Sequence, residues 1–279
     1  MKKDVILSNM KLSPTTYPEV NAILNELLPN VQGILGKLFV GMYLHGSLAV
    51  GSFDQDSDVD FVVITAEALP EAFFSELQGM HARLATLDSW CATQLDGFYT
   101  PQNALRNFDP VNVLHLHIDR GPNEQLHRMQ INDVGVSQAW WGGWVLLRSA
   151  LREKGVTLAG PAPETLMDLV TPDELKQATL AILKGWVVPL LDQKDQIENS
   201  GWQSYTVLTL CRLLYTLEFG TIVSKQKAAR WAQETLSEPT GALIDSAWLG
   251  RHNPQTKATK DEVDGTLDFI RYTLDRINQ

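Results

Sequence analysis

The stretch from residue 38 to 65 most constrains what this chain can fold into, because two apolar runs there frame a short polar segment. The first run, residues 38–44, ends on His45-Gly46-Ser47; the second, residues 59–65, follows Asp56-Ser57-Asp58. Val59-Asp60-Phe61-Val62-Val63-Ile64-Thr65 is rich in β-branched and aromatic residues, the composition of a buried strand. A strand that ends on Gly46-Ser47 and passes into a helical turn presents backbone N–H groups which, with the serine hydroxyl, suit phosphate oxygens. Asp58 and Asp60 stand two apart where the next strand begins. Period-two alternation puts both carboxylates on one face, with Cα atoms roughly 6.5–7 Å apart.

Carboxylates so placed can chelate two divalent ions about 3.5–4 Å apart, which stabilise the attacking and leaving oxygens of an in-line displacement at phosphorus. A third carboxylate, as metal ligand or as general base on an acceptor hydroxyl, would complete such a site. Asp96 is the best candidate, in a run over residues 90–99 where Trp90, Ala92, Gln94, Asp96 and Phe98 share an alternation face. The acidic residues at 54, 56, 58 and 60 superficially resemble a calcium loop. Counted from Asp54, however, position six is Val59 and position twelve is Thr65; counted from Asp56, Phe61 replaces the glycine. No Gly-Lys-Ser/Thr follows for a P-loop, and no Gly-x-Gly-x-x-Gly marks a dinucleotide fold.

Around this stretch the chain reads as helix 18–35, helix 71–85, a fourth strand at 111–118, helix 138–153 and a short fifth strand at 156–158. Beyond residue 170 the pattern turns helical. Thr171-Pro172-Asp173-Glu174 is a capping box with proline at the first helical position, and helices are expected at 172–188, 202–219, 225–236, 240–249 and 260–277. Gly220 is placed to end one helix and Ser224 to cap the next. The expected architecture is α/β (α+β): a nucleotide-handling domain over 1–168, with a mixed sheet flanked by helices, then an all-α bundle over 169–279. Gly160-Pro161-Ala162-Pro163 forms the natural joint.

The 33 acidic against 23 basic side chains give a net charge of -10, which argues against a nucleic-acid binder and suits a cationic small substrate. Cys91 and Cys211 form no metal or disulfide pattern. Lys11 interrupts the short N-terminal apolar run, and no apolar stretch is long enough for a membrane span. A cytoplasmic monomer is expected. His115 and His117 share a strand face and read as hydrogen-bonded strand histidines with no further Cys or His nearby. His45 reads as a packing histidine, and Trp140 and Trp144, at i and i+4, as inward packing residues between the domains.

The Gly-Ser, helical turn and Asp-x-Asp strand together resemble the polymerase-β-type nucleotidyltransferase signature. The chain further resembles the aminoglycoside (streptomycin/spectinomycin) adenylyltransferase family. The likeness runs through Leu95-Asp96-Gly97-Phe98-Tyr99, Gly155-Val156-Thr157-Leu158-Ala159-Gly160-Pro161, Thr206-Val207-Leu208-Thr209-Leu210-Cys211-Arg212, Gly220-Thr221-Ile222-Val223-Ser224-Lys225 and Ala229-Arg230-Trp231-Ala232. It is patchy at residues 1–35 and 102–140. The resemblance implies ATP as co-substrate with Mg2+, two ions bound by Asp58, Asp60 and Asp96, and Asp96 in the catalytic base position that glutamate usually holds. It further implies that Gly46 and Ser47, with Arg212 and Lys225 of the helical domain, hold the nucleotide. In the drug-contact region the chain departs from the family with Asn199-Ser200-Gly201-Trp202-Gln203-Ser204-Tyr205, where Trp202 and Tyr205 are candidates to stack on a sugar or cyclitol. The acceptor expected from the resemblance is an aminoglycoside or aminocyclitol. Another small molecule, a protein hydroxyl, or a lapsed nucleotide-binding role are the alternatives.

Overall fold

The computed structural model describes residues 13–106, 115–129, 134–236 and 240–277. Helix α1 (Pro18–Leu35) leads through a 3-10 turn to strand β1 (Phe39–Leu44), the short helix α2 (Gly46–Ala49) and β2 (Val59–Thr65). Helix α3 (Glu71–Leu84), β3 (Leu95–Pro101), α4 (Gln102–Arg106), β4 (His115–Ile118) and β5 (His127–Met129) follow. Helix α5 (Val134–Lys154) then returns the chain to β6 (Val156–Ala159). The six strands form one mixed sheet in the order β5-β4-β3-β2-β1-β6, in which only β2 and β3 run parallel among the paired neighbours.

Both faces of this sheet are covered, which is why β2 reads as an unbroken apolar run. Phe61 and Val63 point into the larger core, where α1 contributes Val20, Ile23, Leu24, Leu27, Leu28, Val31 and Leu35, and α3 contributes Leu77 and Met80. Val62 and Ile64 point the other way, into a second core with Tyr43, Leu105, Trp144, Leu151, Leu166 and Met167. Asp60 shares the parity of Val62 and Ile64, so its side chain rises on the face that α5 and the helical region cover.

The helical region is α6 (Pro172–Ile182), α7 (Ser200–Phe219), α8 (Lys225–Thr235), α9 (Thr240–Gly250) and α10 (Lys260–Ile277) around its own core. The expected caps are all present. Thr171 and Glu174 close the capping box, Gly220 ends α7 at φ 62°, and the Ser224 side chain accepts from the Lys227 N–H. Trp144 packs inward and donates its indole N–H to the Ala104 carbonyl at 2.9 Å. At the α5–α6 contact Trp141 packs against the Val145, Leu175 and Ala178 cluster. Tyr43 donates its hydroxyl to the Pro161 carbonyl at 2.7 Å, fixing the joint to β1. Among the described residues, no helix is long and apolar enough to cross a membrane.

Two expectations change. Residues 90–93 form a 3-10 turn, so β3 starts at Leu95 and the alternation extended back to Trp90 does not hold. The consecutive burial of Cys91 and Ala92 is a turn pattern, and the Gln94 carbonyl, accepting from the Val59 N–H at 2.8 Å, opens the ladder. The helix expected over 172–188 ends at Ile182; the chain continues as a π turn over Leu183–Val187 and a 3-10 turn over Val188–Leu191. Pro189 has no N–H to extend an α ladder and forces the change of hydrogen-bond register. The strand expected over 111–118 is seen at 115–118, with 111–114 outside the described residues, and β5 was not anticipated.

Candidate active site

The β1–α2 junction is shaped around Asp60. Gly46 sits at φ 59°, in the left-handed region, and a Cβ there would collide with the Asp60 carboxylate, so only glycine fits both demands. The His45 N–H donates to the Asp60 carbonyl at 3.2 Å, and the Ser47 backbone N–H stabilises the Asp60 carboxylate. The Ser47 hydroxyl and the buried Nε2 of His45 find no partner. Burial pushes the His45 imidazole down to about 4, so the ring is neutral near pH 7. Buried polar atoms without partners are rare in folded proteins, and here they line one end of a strand beside carboxylates.

Asp96 is the direct parallel-register partner of Asp60, and Val62 pairs with Phe98 two steps on. Register thus places Asp60 and Asp96 side by side on adjacent strands, about 4.8 Å apart along the ladder. Asp58 precedes β2 by one residue. Burial raises Asp58 to about 6 against the pull of Arg120, and the charges of Asp60 and Asp96 add to the rise. Asp60 is pushed up to about 7 by burial and then by Asp96, against Lys225, Arg212 and the Ser47 amide. Two carboxylates raised by burial and by the neighbouring charge of Asp96, in an oxygen-only donor set, fit a hard divalent cation such as Mg2+.

The opposing wall comes from α7 and α8. Trp202, Tyr205, Thr209 and Arg212 follow one another at three- and four-residue steps and so share a stripe of α7. Lys225 is the first residue of α8, and its ammonium lies 5.5 Å from the centre of the Tyr205 ring. Burial lowers Lys225 to about 8 and Arg212 adds to the fall, while Asp58 and Asp60 oppose it. The Nε of Arg212 is buried without a partner. The Tyr205 hydroxyl is raised by burial, although the ring keeps an exposed face, and the charges of Arg212, Asp96 and Asp58 act on it. Trp202 is exposed and meets Tyr205 edge-on at 5.7 Å. The expected carboxylates, cations and Tyr205 thus act on one another across one cleft, the carboxylates on the sheet side and the cations on the helical side, with Trp202 beside Tyr205.

Sequence reading missed several contacts that shape this cleft. Arg120, after β4, pairs with Asp58 and donates to the Asp56 carbonyl at 3.0 Å. Two contacts pin the tip of α9 to the loop before Asp58: Arg251 clasps both oxygens of Asp54 at 3.0 Å in an ion pair, and His252 Nδ1 lies 2.5 Å from Asp56 Oδ2. His117 contacts Asp96 Oδ1 through Nε2 at 3.3 Å, and His115 Nδ1 meets the Thr100 hydroxyl at 3.0 Å, as expected of strand histidines. The expectation that no other histidine lies nearby is corrected, because His127 is the cross-strand partner of His117. The Asp54/Asp56 run and the Arg251-His252 dipeptide were visible signals of charge, but nothing local paired Arg251 with Asp54 across 197 residues of chain.

A mixed sheet that pairs Asp60 with Asp96 beside a Gly-Ser turn, faced by half-buried cations on a helical domain, is the architecture of a nucleotidyltransferase. Sequence comparison agrees: residues 28–130 match the nucleotidyltransferase domain family, and residues 165–276 match the C-terminal domain family of aminoglycoside adenylyltransferases. An aminoglycoside (3'') (9) adenylyltransferase of Escherichia coli is 26% identical over 271 residues, covering 93% of this chain and 96% of that protein. A spectinomycin 9-adenylyltransferase of Campylobacter jejuni is 21% identical, covering 91% and 95%. The solved spectinomycin adenyltransferase of Enterococcus faecialis, crystallised with ATP and spectinomycin, shares the fold with a TM-score of 0.65 at 15% identity, over 92% of this chain and 99% of that one. The chain is an enzyme of the nucleotidyltransferase class, with a nucleotidyltransferase domain followed by an aminoglycoside adenylyltransferase C-terminal domain, and is similar over most of its length to aminoglycoside adenylyltransferases.

Proposed function

We propose that this enzyme transfers AMP from ATP to a hydroxyl of an aminoglycoside or aminocyclitol of the streptomycin or spectinomycin type, releasing pyrophosphate. The observation that carries this reading is the opposed pair of half-sites: carboxylates whose pKa values are raised face a lysine whose pKa is lowered. Each half is short of the opposite charge, and a metal–nucleotide complex supplies both at once.

Asp58, Asp60 and Asp96 hold Mg2+, two ions in the full site, and Arg120 releases Asp58 for that purpose. The metal, when bound, neutralises the carboxylates and withdraws charge from the phosphate oxygens. Gly46 and the Ser47 amide and hydroxyl cradle phosphate oxygens, while Lys225 and Arg212 bind the phosphates from the helical side. Asp96 accepts the proton of the substrate hydroxyl as its oxygen bonds to the α-phosphorus. The bond from the α-phosphorus to the bridging oxygen breaks, and its electron pair leaves with pyrophosphate. Aspartate is one methylene shorter than the glutamate usual in the family; its place in register beside Asp60 supports its role as base. Trp202 and Tyr205 offer an aromatic surface to the acceptor ring, and the net charge of -10 favours a cationic acceptor over nucleic acid.

The same reading places the domain division at residues 168 and 169, since Met167 packs in the sheet-side core while Val170 packs with Leu175 and Ala178 of α6. It takes the enzyme as a cytoplasmic monomer. The test is pyrophosphate release by purified protein with ATP, Mg2+ and each antibiotic, together with ATP binding. Turnover with either drug is expected. Nucleotide binding without turnover on either would remove the acceptor claim, and the absence of nucleotide binding would remove the transferase reading itself.

A further inference from the structure

The hairpin β4–β5 carries a second group of donors that the transfer reaction does not use. His117 and His127 stand directly opposite each other in the antiparallel register, and Asp119 lies just past the end of β4. One ligand atom from each of the three lies within 4.8 Å of the others. His117 Nδ1 is 3.5 Å from Asp119 Oδ2, and His127 Nε2 is 3.9 Å from the same oxygen. Ligand atoms on a tetrahedral ion with bonds near 2.0–2.1 Å stand about 3.3 Å apart. The side chains thus need only small rotations to close on an ion, and those of Asp119 and His127, each close to half exposed, are free to make them.

A second observation separates this group from a chance surface cluster. Imidazoles that bind metals hand their other ring nitrogen to a carboxylate or carbonyl, which fixes the tautomer and aims the free lone pair. Both rings here have that backing. His117 Nε2 rests on Asp96 Oδ1 at 3.3 Å, and His127 Nδ1 on the Gln125 carbonyl at 3.3 Å. The His117 ring is held further by Phe98, stacked on it at 4.1 Å and 17°.

We infer that His117, Asp119 and His127 bind a first-row divalent cation of the zinc class, with water in the fourth position. Two imidazole nitrogens and one carboxylate suit such an ion and disfavour Mg2+, which takes oxygen ligands, so the two metal positions differ in preference. An ion on His117 Nδ1 keeps the Nε2–H directed at Asp96. Occupancy is therefore felt at the base, a consequence that rests on the role proposed for Asp96, whereas the site itself does not.

The test is a Zn2+ titration of the full, tag-free chain against a chelating dye under saturating Mg2+, for wild type, His127→Ala and Asp119→Asn. One Zn2+ site is expected in the wild type, weakened at least tenfold by either substitution. Co2+ in its place is expected to give the visible absorption of a four-coordinate ion in the wild type only. Equal Zn2+ affinity in all three proteins, or no binding in any, would overturn the site. Thermal melts check that these exposed substitutions leave the fold intact. The titration reads binding rather than turnover, so its failure leaves the transferase reading standing, and failure of antibiotic turnover leaves this site standing.

Discussion

The sheet wall and the helical wall of the cleft carry opposite charges, and neither is at ease alone. On the sheet wall, burial and mutual repulsion raise Asp58 to about 6 and Asp60 to about 7. On the helical wall, burial and Arg212 lower Lys225 to about 8, and Arg212 keeps a buried Nε without a partner. The walls also differ in how they are built. The carboxylates stand on or beside adjacent strands whose register the backbone fixes, whereas the cations project from α7 and α8 of a helical region pinned, at the end of α9, to the loop before Asp58 by the Arg251–Asp54 and His252–Asp56 pairs. The contrast teaches that each wall stores an electrostatic deficit that only a ligand of mixed charge relieves.

The substitution expected to disturb this contrast most is Asp60→Asn. Removing a metal-binding carboxylate is expected to lower the rate of pyrophosphate release by about 10³-fold or more, a loss read from initial rates. The same change is expected to raise stability. An acid whose folded-state pKa lies above its ordinary value of 3.8 favours the fold only while protonated. That contribution is present below the ordinary value and is lost as pH rises through about 7. At pH 8 without metal, the Asn variant should therefore exceed wild type by on the order of 2 kcal/mol in denaturant melts, a margin that shrinks toward pH 5. A variant less stable than wild type at pH 8 would break the sheet-wall half of the comparison.

Asp96→Asn is expected to lower kcat by about 10²–10⁴-fold, because a general base acts on the acceptor proton. An unchanged kcat would move the base elsewhere. On the helical wall, Lys225→Ala is expected to weaken ATP binding by about 10–100-fold in calorimetric titration, the scale for losing a buried charged contact to phosphate. Lys225 loses its charge as pH rises through about 8, so apo-enzyme affinity for ATP should fall above that pH. Lys225→Arg should remove this upper limb. The smallest effect is expected from Arg251→Ala, which unpins the walls: about 1 kcal/mol of stability in melts and a few-fold rise in KM for ATP.

The sheet wall was far more legible in the sequence than the helical wall. Gly46-Ser47 and Asp58-Val59-Asp60 announce themselves locally, because a positive φ and a period-two strand impose particular residues at particular spacings. The β2–β3 register that seats Asp96 beside Asp60 follows from tertiary pairing, and the alternation drawn back to Trp90 misjudged where that strand begins. Lys225 and Arg212 lie on ordinary helices with ordinary caps, and only the family likeness marked them. Arg120, His127 and Arg251 carried no local pattern, since their partners are brought near by the fold alone. The break in the helix after Ile182 was signalled by Pro189, but a helical apolar period masked it.

The claim that both walls hold one ligand is tested most directly by a double-mutant cycle on ATP binding in the presence of Mg2+. Dissociation constants are needed for wild type, Asp60→Asn, Lys225→Ala and the double variant. Coupling is predicted: the double variant should bind only slightly more weakly than the weaker single variant, short of the product of the two losses by about tenfold or more. Losses that multiply in full would show the two walls acting independently and would contradict a single nucleotide spanning the cleft.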